Sequence, residues 1–215
     1  MTRKPLSPAD TALSDAAASG DTAAARAALA AGARTEARDE RGRTPLLRAA
    51  LADHVEVARL LVASGADVDA QDGRRDSPWL VTGVTGSVAM MRALLPGDPD
   101  VTLTNRYGGV SVIPASERGH VGYVRAVLAE TGIAVDHVNR LGWTALLEAV
   151  ILGDGGRDHQ EVVRILLAAG ADPFLPDGHG VTALAHARRL GFTALADLLR
   201  AAEEAGAGPA AGSTR

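Results

Sequence analysis

Cysteine is absent from the 215 residues, so neither a disulfide framework nor a cysteine-ligated metal can hold this chain together. Aromatic residues make up only 3%. A thick core of stacked rings is thereby excluded, and thin helices packed through Ala and Leu are what remains. No apolar run reaches the length of about 18 residues that spans a bilayer, and Met1-Thr2-Arg3-Lys4-Pro5 leads into no signal-peptide core, so no membrane association is predicted and the expected location is cytoplasmic. Lysine is nearly missing as well: Lys4 stands alone among 22 cationic residues, the rest being arginine, and the formal charge is −4. Such a bias reflects genome base composition most simply, so clusters of arginine carry little information.

What the chain has is a period. Aligned on Thr11, Thr44, Ser77, Val110, Thr144 and Thr182, it repeats at 33, 33, 33, 34 and 38 residues. Five residues before each anchor after the first stand Asp39, Asp72, Asn105, Asn139 and Asp177. Two before it stand Gly42, Gly108, Gly142 and Gly180, with Arg75 breaking the set. Two after it come Leu13, Leu46, Trp79, Val112, Leu146 and Leu184, a predicted core column. Nine after it come Gly20, Asp53, Gly86, Gly119, Gly153 and Gly191, where a helix must end. Each unit therefore reads as loop, short helix, turn and longer helix, and the first copy has lost its loop. Arg26, Arg59, Arg92, Arg125 and Arg164 share one position of the longer helix and are predicted to face solvent.

Gly42-Arg43-Thr44-Pro45-Leu46, the run Val55 to Leu61 followed by Gly65-Ala66-Asp67-Val68, and Glu161 to Leu167 followed by Gly170-Ala171-Asp172 carry a clear resemblance. The chain resembles ankyrin-repeat proteins, whose period is about 33 residues with a T-P-L-H-x-A signature. More narrowly, Asn105 to Gly109 and Leu141 to Glu148 are similar to segments of small standalone bacterial members. The resemblance implies an all-α helix-turn-helix solenoid of about six repeats with projecting hairpin-like loops. It departs from the signature at one column, where Leu47, Leu80, Ile113, Leu147 and Ala185 replace the histidine. Without those imidazoles, loop stiffness is expected to come from packing. The expected domain is a single solenoid over 9–202, between disordered ends at 1–8 and 203–215.

Family analogy places binding on finger-like loops and on a palm formed by the first helices. The expected partner-binding residues are Arg106, Tyr107, Glu117, Arg118, Arg140, Trp143, Glu148 and Ile151, and Val81 and His186 belong to the same helix positions. Tyr107 and Trp143 are the natural anchors, because rigid amphipathic rings dominate interfaces. Three local rules also break together around the fourth anchor: Val110 offers no capping hydroxyl, Gly108-Gly109 loosens the loop, and Pro114 should shorten or displace the helix.

The resulting expectation is a monomeric protein-interaction module with a protein partner, no cofactor and no catalytic residue. Nucleic acid is not an expected partner, since the finger arginines alternate with Asp39, Glu40, Asp72, Asp76 and Asp177. The alternative is a small-molecule-binding protein or a hydrolase-like enzyme using Glu117 and Glu148 as paired carboxylates. No metal site is predicted: Asp154, Asp158 and His159 in the inserted segment 154–160 have suitable atoms but no fixed spacing on one face. That segment reads as an enlarged surface turn, removable without loss of the fold.

Overall fold

The computed structural model describes residues 5–206. Twelve α-helices and one 3₁₀ turn at Leu95–Gly97 account for the regular structure of those residues, without a strand. The chain divides into two compact units, one ending at Ser111 and the other beginning at Val112, where the period predicts one domain over 9–202. A repeat touches only its neighbours, so a periodic sequence carries no mark of where a stack divides.

The first unit holds α1 (Pro8–Ser19), α2 (Thr22–Ala30), α3 (Pro45–Leu51), α4 (Val55–Ala63), α5 (Pro78–Thr85) and α6 (Val88–Leu94). Its short helices stack as α1, α3 and α5, and behind them α2, α4 and α6 form a second layer. The second unit repeats this arrangement with α7 (Val112–Glu117), α9 (Ala145–Ile151) and α11 (Ala183–Arg189) backed by α8 (Val121–Glu130), α10 (Arg157–Ala168) and α12 (Thr193–Gly206). No helix among the described residues is long and apolar enough to cross a membrane.

The anchors work as N-caps. Thr44, Ser77, Thr144 and Thr182 take extended backbone, and each hydroxyl accepts the N–H three residues on, from Leu47, Leu80, Leu147 and Ala185. Such a cap is worth about 1 kcal/mol. Two anchors deviate. Thr11 lies inside α1, whose cap is Ser7 in a reciprocal box with Asp10, because a repeat without its loop leaves the helix free to start a turn early. After Val110 the chain needs one more residue to enter α7, which has six residues against seven or eight in α3, α5, α9 and α11, as Pro114 and the absent hydroxyl predict.

The core column is buried throughout: Leu13, Leu46, Trp79, Val112, Leu146 and Leu184 are all at most 5% exposed. The five column arginines of the longer helices face solvent, as their spacing predicts. In α10, Val162, Ile165 and Leu166 are buried, but Ala169 is the exposed C-cap and Val163 takes its place in the core. The predicted disordered ends are shorter than expected where they can be described: Ser7 caps α1, which starts at Pro8, and α12 continues through residues 203–206. The remaining residues of those ends, 1–4 and 207–215, lie outside the described residues.

Backbone geometry explains the two column breakers. Arg75 replaces a loop glycine yet keeps the same left-handed conformation, φ 63°, beside 84° at Gly42 and 77° at Gly108. Asp53, in the turn column, sits at φ 57°. Both residues thus keep the left-handed conformation that glycine takes at the equivalent positions of most other repeats, at a cost of about 1–2 kcal/mol for a residue with a Cβ.

Candidate functional site

Hydrogen bonds within each finger order the loops, where the missing histidines left packing as the expected source of stiffness. The carboxylate or amide five residues before each anchor folds over its own finger. Asp39 Oδ1 accepts the backbone N–H groups of Arg41 and Arg43, and Asp72 Oδ1 those of Arg74 and Asp76. Asn105 Oδ1 holds Tyr107 and Gly109, Asn139 Oδ1 holds Leu141 and Trp143, and Asp177 Oδ1 holds His179 and Val181. This is the turn chemistry to which short Asx side chains are suited. Each finger is therefore closed by its own side-chain bonds before anything binds.

In the first unit such a finger presents Arg106 and Tyr107. The guanidinium carbon lies 4.4 Å above the ring centroid, and Nη2 donates to the phenol oxygen at 3.0 Å. Tyr107 is 52% exposed, so the pair is offered to solvent as one plate. Burial pushes the Asp76 carboxyl up, with Asp72 adding to the rise while Arg106 and Arg74 oppose it. A cleft of about 610 Å³ in this unit is lined by Arg41, Arg43, Leu51, Asp72, Gly73, Arg74 and Asp76.

The second unit holds Glu117, Arg118, Arg140, Trp143, Glu148 and Ile151. Arg140 and Arg118 are exposed, while Glu117, Trp143 and Ile151 are half-buried. Arg118 Nη1 bonds Glu117 Oε2 at 3.0 Å. Glu148 differs from all of these: on the first helix, α9, it is only 6% exposed. Asn139 Nδ2 donates to its Oε1 at 2.8 Å, and no donor among the described residues reaches Oε2. Burial first, then the Glu117 charge, push its carboxyl up to about 7, against the opposing effects of Asn139 and Arg118. One turn further along α9 come Ile151 and then Leu152, which is 49% exposed. Leu141, on the finger that Asn139 folds, is 53% exposed.

Two residues expected on the palm are structural. Val81 is buried. His186 is buried too, bonded through Nε2 to Asp177 Oδ2 at 2.8 Å and through Nδ1 to Arg189. The pairs Asn139–Glu148 and Asp177–His186 are equivalent, each joining the loop residue five before an anchor to the helix residue four after it. Sequence reading missed these braces, although complementary polar residues nine apart were there to be seen. It also missed a second set, in which a turn histidine reaches back to the preceding repeat. His54 Nε2 meets the Ala18 carbonyl at 3.0 Å, and His159 Nε2 meets that of Glu117 at 2.9 Å.

The inserted segment is accordingly not the plain surface turn expected. Arg157 to Gln160 form the first turn of α10, and His159 is buried there, with Asp154 Oδ1 2.8 Å from its Nδ1. At the far end of the unit, α12 and the loop at Phe174 border a further cleft of about 440 Å³.

Comparison with known proteins agrees with this architecture. A family model described as ankyrin repeats (3 copies) matches residues 3–72 and 81–177, more than half of the chain. The putative ankyrin repeat protein YahD of Escherichia coli K12 is 50% identical over 97 residues, which is 45% of this chain and 48% of that protein. The match thus spans about half the length of that relative. An ankyrin repeat domain from Acinetobacter baumannii superposes with a TM-score of 0.84 at 46% identity, covering 89% of this chain and 97% of that one. The ankyrin repeat domain of Bcl-3, a member of the IkappaB family, superposes with a TM-score of 0.79 at 26% identity, covering 90% of this chain and 86% of that one.

Proposed function

The chain belongs to the ankyrin-repeat family, whose repeats are protein-interaction modules, and from that premise we propose that it binds a protein partner through its fingers and first helices. The observation that carries the reading lies in the second unit. There a closed finger presents Leu141 and Trp143, and the first helix presents Ile151 and Leu152 one turn from the buried carboxylate of Glu148. Leu141 and Leu152 are exposed and Trp143 and Ile151 half-buried, and apolar side chains accompanied by a desolvated polar group form the usual anatomy of a binding hot spot. The Arg106–Tyr107 plate of the first unit is a second contact of the same kind. The mechanism is presentation: fingers already ordered by their Asx bonds lose little entropy on binding, so a few anchors set the affinity.

The test compares partner capture from the native cell by wild type, Trp143→Ala, Tyr107→Ala and Arg59→Ala. The two aromatic truncations should each weaken binding by about 2 kcal/mol, and Arg59→Ala on the exposed face of α4 should leave it unchanged. Equal losses from all three would count against the reading. One observation favours a second reading as a carboxylate hydrolase: a carboxyl raised to about 7 has the acidity of a general acid. Glu148→Gln separates the two. A hydrolase would keep its ligand and lose turnover by orders of magnitude.

A further inference from the structure

The Glu148 site has a chemical preference that the interaction reading leaves open. This inference rests on that reading and names the group that the partner must bring. Glu148 as a residue is 94% removed from solvent, its Oε1 accepts from Asn139 Nδ2, and its Oε2 is not one of the fully buried atoms left without a partner, so it stays open to a donor from outside. The other oxygen is left for a donor that the described residues do not supply. A second carboxylate, Glu117, acts on Glu148 by charge. The cation beside them, Arg118, is engaged at Glu117 Oε2 and at the Pro114 carbonyl. We propose that Glu148, with Glu117 beside it, accepts a lysine or arginine side chain of the protein partner, whose apolar stem lies along Ile151 and Leu152.

Chemistry favours a cation over a neutral donor here. A buried carboxylate that lacks a counter-charge is costly, and a desolvated ion pair with a fixed hydrogen bond on one side recovers that cost. Apolar surface one helical turn away suits the methylenes of a long basic side chain, which lie on apolar residues while the head group reaches a polar partner. A carboxylate or phosphate in the partner would instead face two negative charges. The fingers of this unit supply the remaining contacts through Leu141 and Trp143.

Binding of a cation must also expel any proton from Glu148, so affinity falls with acid. The other charged or titratable groups on elements packed against α9 are Glu117 at the end of α7 with Arg118 just after it, Arg157, Asp158, His159, Glu161 and Arg164 on α10, and His186, Arg188 and Arg189 on α11. Two of the histidines among them are fixed, His159 to the Glu117 carbonyl and His186 to Asp177.

The probe is a displayed library of random twelve-residue peptides, selected on the full chain at pH 8. Binders that lose affinity with Trp143→Ala should be enriched in lysine or arginine. One of them, resynthesised, should bind Glu148→Gln at least about tenfold more weakly, and its affinity for wild type should fall between pH 8 and pH 6. Replacing its basic residue by norleucine should cause the same loss, with no further loss when combined with Glu148→Gln. Circular dichroism of Glu148→Gln confirms that the fold is kept. Palm-dependent binders without basic enrichment, or binders equally tight on Glu148→Gln, overturn this proposal and leave the interaction reading standing. A selection that returns no Trp143-dependent binder overturns both.

Discussion

Glu148→Gln should make the protein more stable, by an amount that builds up between pH 4.5 and about 7 and is constant above that. The folded state raises this carboxyl from the ordinary 4.5 to about 7, and each tenfold change in acidity is worth about 1.4 kcal/mol. At pH 8 the unfolded chain ionises freely while the folded chain must hold a buried charge against Glu117, a penalty of about 3 kcal/mol. The sign follows from the direction of the shift. For a group raised on folding, the favourable contribution is complete below pH 4.5 and is lost as pH rises through about 7. Glutamine stands in for the protonated acid, because it keeps an oxygen for Asn139 Nδ2 and carries no charge. Urea denaturation of both proteins at pH 5 and pH 8, followed by circular dichroism, measures the difference directly. The variant should exceed wild type by less than about 1 kcal/mol at pH 5 and by about 3 kcal/mol at pH 8. A variant less stable than wild type at pH 8, or a difference independent of pH, would refute the burial argument.

Leu166→Ala should cost about 2–5 kcal/mol, since the side chain is fully buried in α10; an unchanged denaturation midpoint would contradict its place in the core. Arg75→Gly should stabilise by about 0.5–1 kcal/mol, because relief of a left-handed residue worth about 1–2 kcal/mol exceeds the entropy cost of glycine. A thermal melt in which Arg75→Gly unfolds earlier would show that its side chain contributes more than its backbone costs. His159→Ala should lower the stability of the second unit by about 1–3 kcal/mol through the orphaned Glu117 carbonyl. Deleting residues 154–159 should do at least as much harm, and a deletion variant with wild-type stability would restore the reading of that segment as a dispensable turn.

Much of the fold was legible from periodicity alone. A 33-residue period fixes where loops, caps and turns fall, because each recurs for a local reason: a hydroxyl to bond the first amides, an Asx to close the finger, a left-handed residue to end the helix. Local rules also anticipated the short α7, since Val110 and Pro114 act within their own turn. Thr11 departs from the other anchors for the complementary reason. It matches the column, but the loop that would make it a cap is missing, and Ser7 does the work four residues earlier.

The candidate site was legible only in outline. Residue type and column placed Tyr107 and Trp143 on fingers and Glu148 on a first helix. Neither type nor column could say that Glu148 is buried with one oxygen satisfied, whereas Glu117 is half-exposed and paired with Arg118. His186 occupies the same column as Glu148, yet it faces an aspartate and becomes a brace with no open atom, where Glu148 faces an asparagine and keeps one. Periodicity is written by forces acting within a few residues, which a linear chain displays. Burial, acidity and the choice of hydrogen-bond partner depend on what a neighbouring loop or repeat places within about 3 Å, and only folding brings those groups together.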